Sequence, residues 1–437
     1  MGGSAHNDTV MWLKKELEST AYYDVTLQPF SNYVMLNGTI NKFTIGGQAI
    51  NSTLFEYSNS TASLVTAPLV VVSNLGCEAS DYPASLSGNI ALISRGSCDF
   101  GLKSALAGGA GAVGAVIYNN VPGAVSATLG PPPRTEGPYV ATVGLSQEQG
   151  LAYVAQIQSG ANVTASLDVK TVIEKITTNN VLATSKCGDK NNQLSLGAHT
   201  DSVGAGPGIN DDGSGTVAIL NVAKSLAKYN VKNAVTFGFW SGEESGLLGS
   251  TYFVESLSPA ESLKIRAYLN FDMIASPNYV HQIYDGDGSA YGLTGPSGSG
   301  DIEAFFEQYF TRVGVPYNAT EFNGRSDYGP FLDANIPAGG STTGADEVKT
   351  AKEAEIWGGV AGEILDQNYH QAADTVDNLN QEAWLLHSRG IAAAVAKYAV
   401  SWDGFPTRSP VGNTTAKRSV KEVQRSVRGG KRSLQLF

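Results

Sequence analysis

What this 437-residue chain holds least of is charge: 16% of its residues are charged, against roughly 25% in ordinary proteins, and only five are histidine. Lys and Arg number 29 against 40 acidic residues, a formal net charge of −11. No nucleic-acid partner is expected, because phosphate recognition needs a basic docking surface. No run reaches the ~18 consecutive apolar residues of a membrane-spanning helix. The nearest, residues 105–118, is shorter and broken by four glycines. The three cysteines, Cys77, Cys98 and Cys187, allow one disulfide and leave one thiol. Cys77 and Cys98, close in sequence and flanking a strand-like run, are the expected pair, with three reduced core thiols as the alternative. The chain opens MGGSAHND, with neither the charged nor the apolar region of a secretory signal, and its start is taken as truncated.

What is present points to an ordered, turn-rich protein. A hydrophobic content of 42% excludes a disordered chain, and the length favours two domains or one domain with an insertion. Glycine accounts for 50 residues. The acidity is uneven: residues 416–437 sum to +6, leaving −17 for the rest. Seven Asn-x-Ser/Thr sequons begin at Asn7, Asn37, Asn51, Asn59, Asn162, Asn318 and Asn413, where chance gives roughly two or three. Their number implies a secretory route, at odds with the missing signal. A secreted, extracellular protein is expected, with a vacuole as the alternative.

Residues 8–20 carry Val10, Met11, Leu13 and Leu17 at helical spacing, which predicts an amphipathic helix capped by Asp8. Short alternating segments broken by Asn and Gly follow to about residue 66 and read as strands and turns. Next, the β-rich runs APLVVVSN and GNIALISRG precede a Gly/Ala-rich helix-like stretch, SALAGGAGAVGA, and a further strand, AVIYNN. This block has no cluster of ionisable side chains, so a packing or docking module is expected. From Thr177 to Trp402 strands alternate with longer helical stretches, the pattern of a mostly parallel sheet covered on both faces. The expected boundaries are 1–60 for an N-terminal part of the main domain, 61–170 for the insertion and 171–405 for the rest of the main domain. Residues 406–437 form a basic tail without apolar periodicity, expected to be disordered.

Three predicted strands end in ionisable side chains: His199 and Asp201 after QLSLGAH, Glu243 and Glu244 after NAVTFGFWS, and Asp272 near the end of KIRAYLNFDMI. Ligands of doubly wound sheets bind just beyond the carboxyl ends of strands. His-x-Asp in an extended segment puts both side chains on one face, where a carboxylate can hold the second nitrogen of a metal-bound imidazole. Asn210, Asp211, Asp212 and Gly213 form a turn feeding a helix, and a carboxylate there can bridge two cations. Glycines at 204, 206, 208, 213 and 215 allow a close approach. Adjacent glutamates at a strand end point apart, so one can ligate a metal while the other faces a bound water. His370, in NYHQAADTVDN, is the best second imidazole. Each feature alone is an ordinary one. Together they would bury several uncompensated carboxylates, at several kcal/mol per ion, unless cations neutralise them. The set suits two zinc ions with an open position for water.

In order and spacing, GAHTDSV, GPGINDDGSG, FWSGEESGLLGS, YLNFDMIAS, GRSDYGPF and YHQAADT resemble the motifs of the M28 family of zinc aminopeptidases, over about residues 180–399. GNIALISRGSCDF and GAVGAVIYNN resemble a protease-associated (PA) domain. The combination is most similar to the fungal secreted or vacuolar leucine-aminopeptidase-like enzymes. The resemblance implies a three-layer α/β/α domain with a central, mostly parallel mixed sheet, plus an inserted β-rich PA domain. It implies two zinc ions per chain, with Asp211 bridging them, His199 and Asp272 completing one site, and Glu244 and His370 the other. Glu243 becomes the general base, Asp201 the partner of the His199 ring, and Asp211–Asp212 a cis peptide bond. Tyr369 is expected on the developing oxyanion and Arg325 on the peptide backbone or gem-diolate, with a core tyrosine and a surface ion pair as the alternatives. Ser326 is a further candidate, for holding the ring of His370. Some relatives carry a cysteine pair just before the last histidine motif, and this chain does not. The implied activity is release of N-terminal residues, apolar and Leu-like ones preferred, from peptides with a free N-terminus. The alternatives are a carboxypeptidase or dipeptidase on the same fold, with Arg325 as the seat of a terminal carboxylate, or an inactive PA-domain binding protein. Oligomeric state is not legible.

Overall fold

The computed structural model describes residues 1–408, so the basic tail from residue 409 on and the sequon at Asn413 lie outside the described residues. Two compact units are present. Among the described residues, one comprises Met1–Ser31 and residues 177–408, and the other comprises Asn32–Ile176. The chain begins with helix α1 (Ser4–Glu18) and strand β1 (Tyr23–Ile45). The second unit continues with β2 (Gln48–Ala49), β3 (Thr53–Leu54), β4 (Val65–Val71), β5 (Ile90–Ser94) and α2 (Phe100–Gly109). It is completed by β6 (Gly114–Tyr118), β7 (Thr142–Leu145), α3 (Gln147–Gln158) and the first half of β8 (Thr164–Ser185). The first unit then adds β9 (Asp189–His199), α4 (Gly215–Leu226), β10 (Asn233–Trp240), α5 (Leu248–Ser256), α6 (Pro259–Lys264) and β11 (Ile265–Asn270). Its last elements are β12 (Gln282–Tyr284), α7 (Ser299–Val313), β13 (Asn318–Thr320), α8 (Tyr328–Asp333), β14 (Ala338–Thr342), α9 (Ala351–Trp357) and α10 (Gln381–Tyr398).

Two boundaries differ from those expected. The first division falls at Ser31 rather than near residue 60, because residues 25–45 form one long strand instead of short segments. Its buried side chains Tyr23, Phe30, Val34, Phe43 and Ile45 anchor it, while Asn37 and Asn41 sit at exposed positions where they do not interrupt it. Helix α1 starts at Ser4, with Gly3 as its N-cap, so Asp8 lies inside the helix rather than capping it. The buried stripe of Val10, Leu13 and Leu17 begins only in the second turn, and the polar turn before it carries no periodic signal.

In the first unit the strands follow the order β13-β12-β14-β11-β9-β10-β8. Strands β14, β11, β9 and β10 are mutually parallel, and β8 and β12 join them antiparallel. Because side chains alternate along a strand, Leu194, Leu196, Phe237, Phe239 and Leu269 face one core with α1, α4, α7 and α10. Trp240 and Tyr268 face a second, with Phe331 of α8 and Phe253 of α5. Covering both faces is what a parallel sheet requires. In the second unit β4, β5, β6 and β7 are parallel neighbours, with β3 antiparallel on one side and β8 on the other. Asp99 caps α2 by accepting from the Leu102 amide, and Cys77 and Cys98 form a disulfide. Cys187 is a free, half-buried thiol 3.0 Å from the Tyr22 hydroxyl.

Two histidines outside the expected ligand set, His281 and His387, are buried in the first unit. His281 Nδ1 lies 3.0 Å from His387 Nε2, and His387 Nδ1 lies 2.8 Å from Ser341 Oγ. Burial and then the charge of Lys349 push His281 down to about 4, and burial holds His387 well below the usual imidazole range. Both states of His281 are neutral above the unfolded value of about 6.5, and only the unfolded chain takes up a proton between about 6.5 and 4. Stability is therefore present in full above pH 6.5 and falls as the pH drops through that window, by about 3 kcal/mol from His281 alone. Urea unfolding at stepped pH checks this: the wild-type midpoint should fall between pH 7 and 4.5, and His281→Gln should flatten that slope.

Candidate metal centre

Each site side chain sits where a strand or tight turn ends. Strand β9 lies between β11 and β10, so His199 at its carboxyl end has Asp272, just past β11, on one side and Glu243 and Glu244, just past β10, on the other. Residues Ile209–Ser214 form a tight turn leading into α4, with non-helical backbone at Asp211 and Asp212 and a cis Asp211–Asp212 peptide bond. Gly208 enters it at φ +63°, and a Cβ there would meet the Asp211 carbonyl oxygen at 2.4 Å. A Cβ on Gly206 would meet the carbonyl oxygen of Gln371 at 2.0 Å, so only glycine lets this loop lie against the segment carrying His370. His370 itself adopts φ +58°, a left-handed conformation that costs a non-glycine residue roughly 1–2 kcal/mol.

The five candidate ligands come together in two groups that share Asp211. His199, Asp211 and Asp272 each offer one ligand atom within 4.8 Å of the others, as do Asp211, Glu244 and His370. Asp211 Oδ1 lies 3.1 Å from His199 Nε2 and Asp211 Oδ2 lies 3.1 Å from His370 Nε2. Glu244 Oε2 is 3.0 Å from the same His370 nitrogen, and Asp272 Oδ1 is 3.6 Å from His199 Nε2. The residues fit a pair of cations on a further ground: Asp272 Oδ1 and Glu244 Oε1 are buried without a hydrogen-bond partner, a costly arrangement unless a cation compensates it.

Burial opposes charge on His199, but Asp272 and Asp211 outweigh it and raise its pKa well above the usual range. For His370, burial is likewise outweighed by Glu244 and Asp211, and the pKa rises to about 10. Burial raises Glu243 well above the carboxylate range, and burial together with Asp211 raises Glu244. Divalent cations binding here displace these protons, so metal uptake is coupled to proton release.

Two sequence expectations are corrected. The ring of His199 is held not by the Asp201 carboxylate, which lies 3.9 Å from Nδ1, but by the Asp201 backbone carbonyl at 2.9 Å. The carboxylate turns instead to the start of the glutamate loop, accepting from the amides of Gly242 at 2.7 Å and Glu243 at 3.1 Å. Ser326 does not touch His370. Its hydroxyl donates to Asp272 Oδ2 at 2.6 Å and accepts from Asn270 at 2.7 Å.

Tyr369 stacks on His370 with ring centroids 3.8 Å apart, and its hydroxyl accepts from Arg325 at 3.3 Å. Arg325 is itself paired with Asp346 at 2.7 Å. Several supporting residues were not anticipated. Asp212 accepts from the amides of His199, Gly215 and Met273, so it braces three elements of the site. Asp374 accepts from the amides of Asn210 and Asp211, and Asn378 links Asp374 to Asp366. These groups lock the turn at 209–214 to the segment bearing His370. Around Asp374 the only sequence signal was a local run of Asp and Asn between residues 366 and 380.

Two imidazoles and three carboxylates gathered beyond the strand ends of this sheet make a candidate centre for a pair of metal ions. Residues 180–395 match the model of peptidase family M28, and residues 65–153 match the PA domain. The chain is 52% identical over 421 residues to a probable leucine aminopeptidase 2 of Aspergillus fumigatus, covering 96% of this chain and 83% of that protein. It is 50% identical over 430 residues to the leucine aminopeptidase 2 of Arthroderma otae, covering 98% of this chain and 84% of that one. The structure of an aminopeptidase from Aneurinibacillus sp. strain AM-1 superposes with a TM-score of 0.69 at 28% identity, covering 94% of this chain and 91% of that one. The chain belongs to peptidase family M28.

Proposed function

We propose that this metallo-aminopeptidase works with two zinc ions and uses Glu243 as general base to cleave the first peptide bond of peptides with a free N-terminus. Apolar, leucine-like first residues are preferred, in keeping with the names of relatives at about half identity. The observation that carries the reading is Asp211, with one carboxylate oxygen 3.1 Å from each of the two imidazoles. Two imidazoles and three carboxylates are donors suited to zinc, which when bound acts as a Lewis acid and lowers the pKa of water towards ~7.

The chain's own residues supply the rest. Glu243 takes the proton of the attacking water and returns it to the leaving amine. Its raised proton affinity suits a base working near neutral pH. Asp201 pins the backbone of that base through two amides. The Tyr369 phenol accepts from Arg325 and keeps its own proton for the oxyanion. Burial, with Asp211 nearby, holds it protonated far above its usual range. Val203, Gly206, Gly208, Asp211, Glu244 and His370 line a small cleft beside the candidate metal centre. Arg325, the candidate seat for a terminal carboxylate, is already engaged by Asp346. A secretory route accords with the disulfide and with the exposed sequons at Asn7, Asn37, Asn51, Asn59 and Asn162. Asn318 is half-buried, its amide donating to Glu353 at 2.9 Å. Among the described residues, no helix is long and apolar enough to cross a membrane.

A panel of aminoacyl p-nitroanilides tests the activity. Leucine p-nitroanilide should be hydrolysed faster than the glutamate or lysine derivatives, the N-acetylated leucine derivative should resist, and a chelator should remove the activity until zinc is restored. Turnover of the acetylated substrate at the rate of the free amine would overturn the exopeptidase reading.

A further inference from the structure

A second group of acidic side chains lies outside the site described above. Asp285 follows β12 directly, Asp287 lies two residues on in the turn DGDGS, and Glu303 stands in the first half of α7. Each offers one carboxylate oxygen, and the three atoms lie within 4.8 Å of one another. The turn is held by Asp285 Oδ2, which accepts from the amides of Ala290 and Tyr291, and by Glu303 Oε2, which accepts from those of Gly286 and Asp287. None of these bonds speaks for a ligand, since they only fold the loop.

The other oxygen of Asp285 does. The side chain is 1% exposed, and its Oδ1 is buried with no hydrogen-bond partner. One carboxylate oxygen of Asp287 lies within 4.8 Å of one of Asp285, and two carboxylates that close repel each other unless a proton or a cation sits between them. Among the described residues, none of the ion pairs involves Asp285, Asp287 or Glu303. A donor set of oxygens alone disfavours the softer metals and suits a hard divalent ion. Calcium accepts six to eight oxygens in flexible geometry, which a loop partly open to water can complete with carbonyls and solvent. We propose that Asp285, Asp287 and Glu303 bind one calcium ion that fastens the loop after β12 to α7, separately from the metal centre that contains Asp211.

The experiment uses the zinc-loaded, full-length enzyme titrated with calcium chloride in a calorimeter, with zinc content measured before and after. One calcium ion per chain should bind, with a Kd on the order of 10⁻⁴ to 10⁻³ M, without release of zinc. Thermal unfolding in 10 mM calcium should shift upward by several degrees. Asp287→Asn keeps the oxygen that accepts from Ser289 and removes the charge of an exposed residue, so it should fold normally, hydrolyse leucine p-nitroanilide at the wild-type rate, and bind calcium at least tenfold more weakly. Glu303→Gln should weaken it similarly. No heat and no thermal shift in 10 mM calcium would overturn the proposal. So would binding that survives both substitutions unchanged, or calcium uptake matched by zinc release.

Discussion

Glu243→Ala should lower kcat on leucine p-nitroanilide by about 10³-fold, roughly 4 kcal/mol of transition-state stabilisation, while zinc content stays near two ions per chain. The two outcomes separate because Glu243 lies beside the ligand groups without belonging to either. Its carboxylate is 5% exposed, and its Oε1 has no hydrogen-bond partner, so nothing else in the site is held by it. Its backbone remains anchored on Asp201 whatever the side chain. A base removed without disturbing binding lowers kcat and kcat/KM together and leaves KM nearly unchanged. Glu243→Gln, which keeps the shape and removes the proton-accepting charge, should lose nearly as much. Either variant retaining activity within tenfold of wild type would refute the assignment, and a parallel loss of zinc would mean that Glu243 serves as a ligand instead.

The gathering of these side chains was legible because of where the charges fall. In a chain this poor in ionisable groups, acids and imidazoles recurring at the ends of apolar runs mark the carboxyl edge of a sheet, and β9, β10 and β11 end as their sequences suggest. The orientation of supporting side chains was not legible. Asp201 on the face of His199 satisfies two geometries equally well at the level of sequence. The choice fell to the amides of residues 242 and 243, more than forty positions away. Ser326 went to Asp272 rather than His370 for the same reason, since Asn270 reaches its hydroxyl from β11. Asp366, Asp374 and Asn378 escaped notice because they serve backbone amides and other polar side chains of a distant turn. Such contacts leave no periodicity behind. The long strand β1 and the early start of α1 were missed where local pattern is weakest and packing decides.

Asp211→Ala should reduce zinc content from about two ions per chain to near zero and activity to background, a larger loss than removal of any other ligand. Each of the other four side chains belongs to one group, so its substitution leaves the second group with its three donors. Asp211 belongs to both, and without it each site retains only two, one fewer protein ligand than catalytic zinc sites ordinarily have. Electrostatics act in the same direction. Asp211 helps to raise the His370 imidazole to a pKa of about 10 and the His199 imidazole well above its usual range, and without it both rings lose the negative charge they share. The backbone should tolerate the change, because the Asp211 amide is fixed by Asp374 and the following carboxylate, Asp212, braces the turn independently. Elemental analysis alongside circular dichroism separates the alternatives. A folded, zinc-free, inactive variant is the expected result. Two retained ions, or one retained ion with substantial activity, would show that Asp211 is not shared between metals.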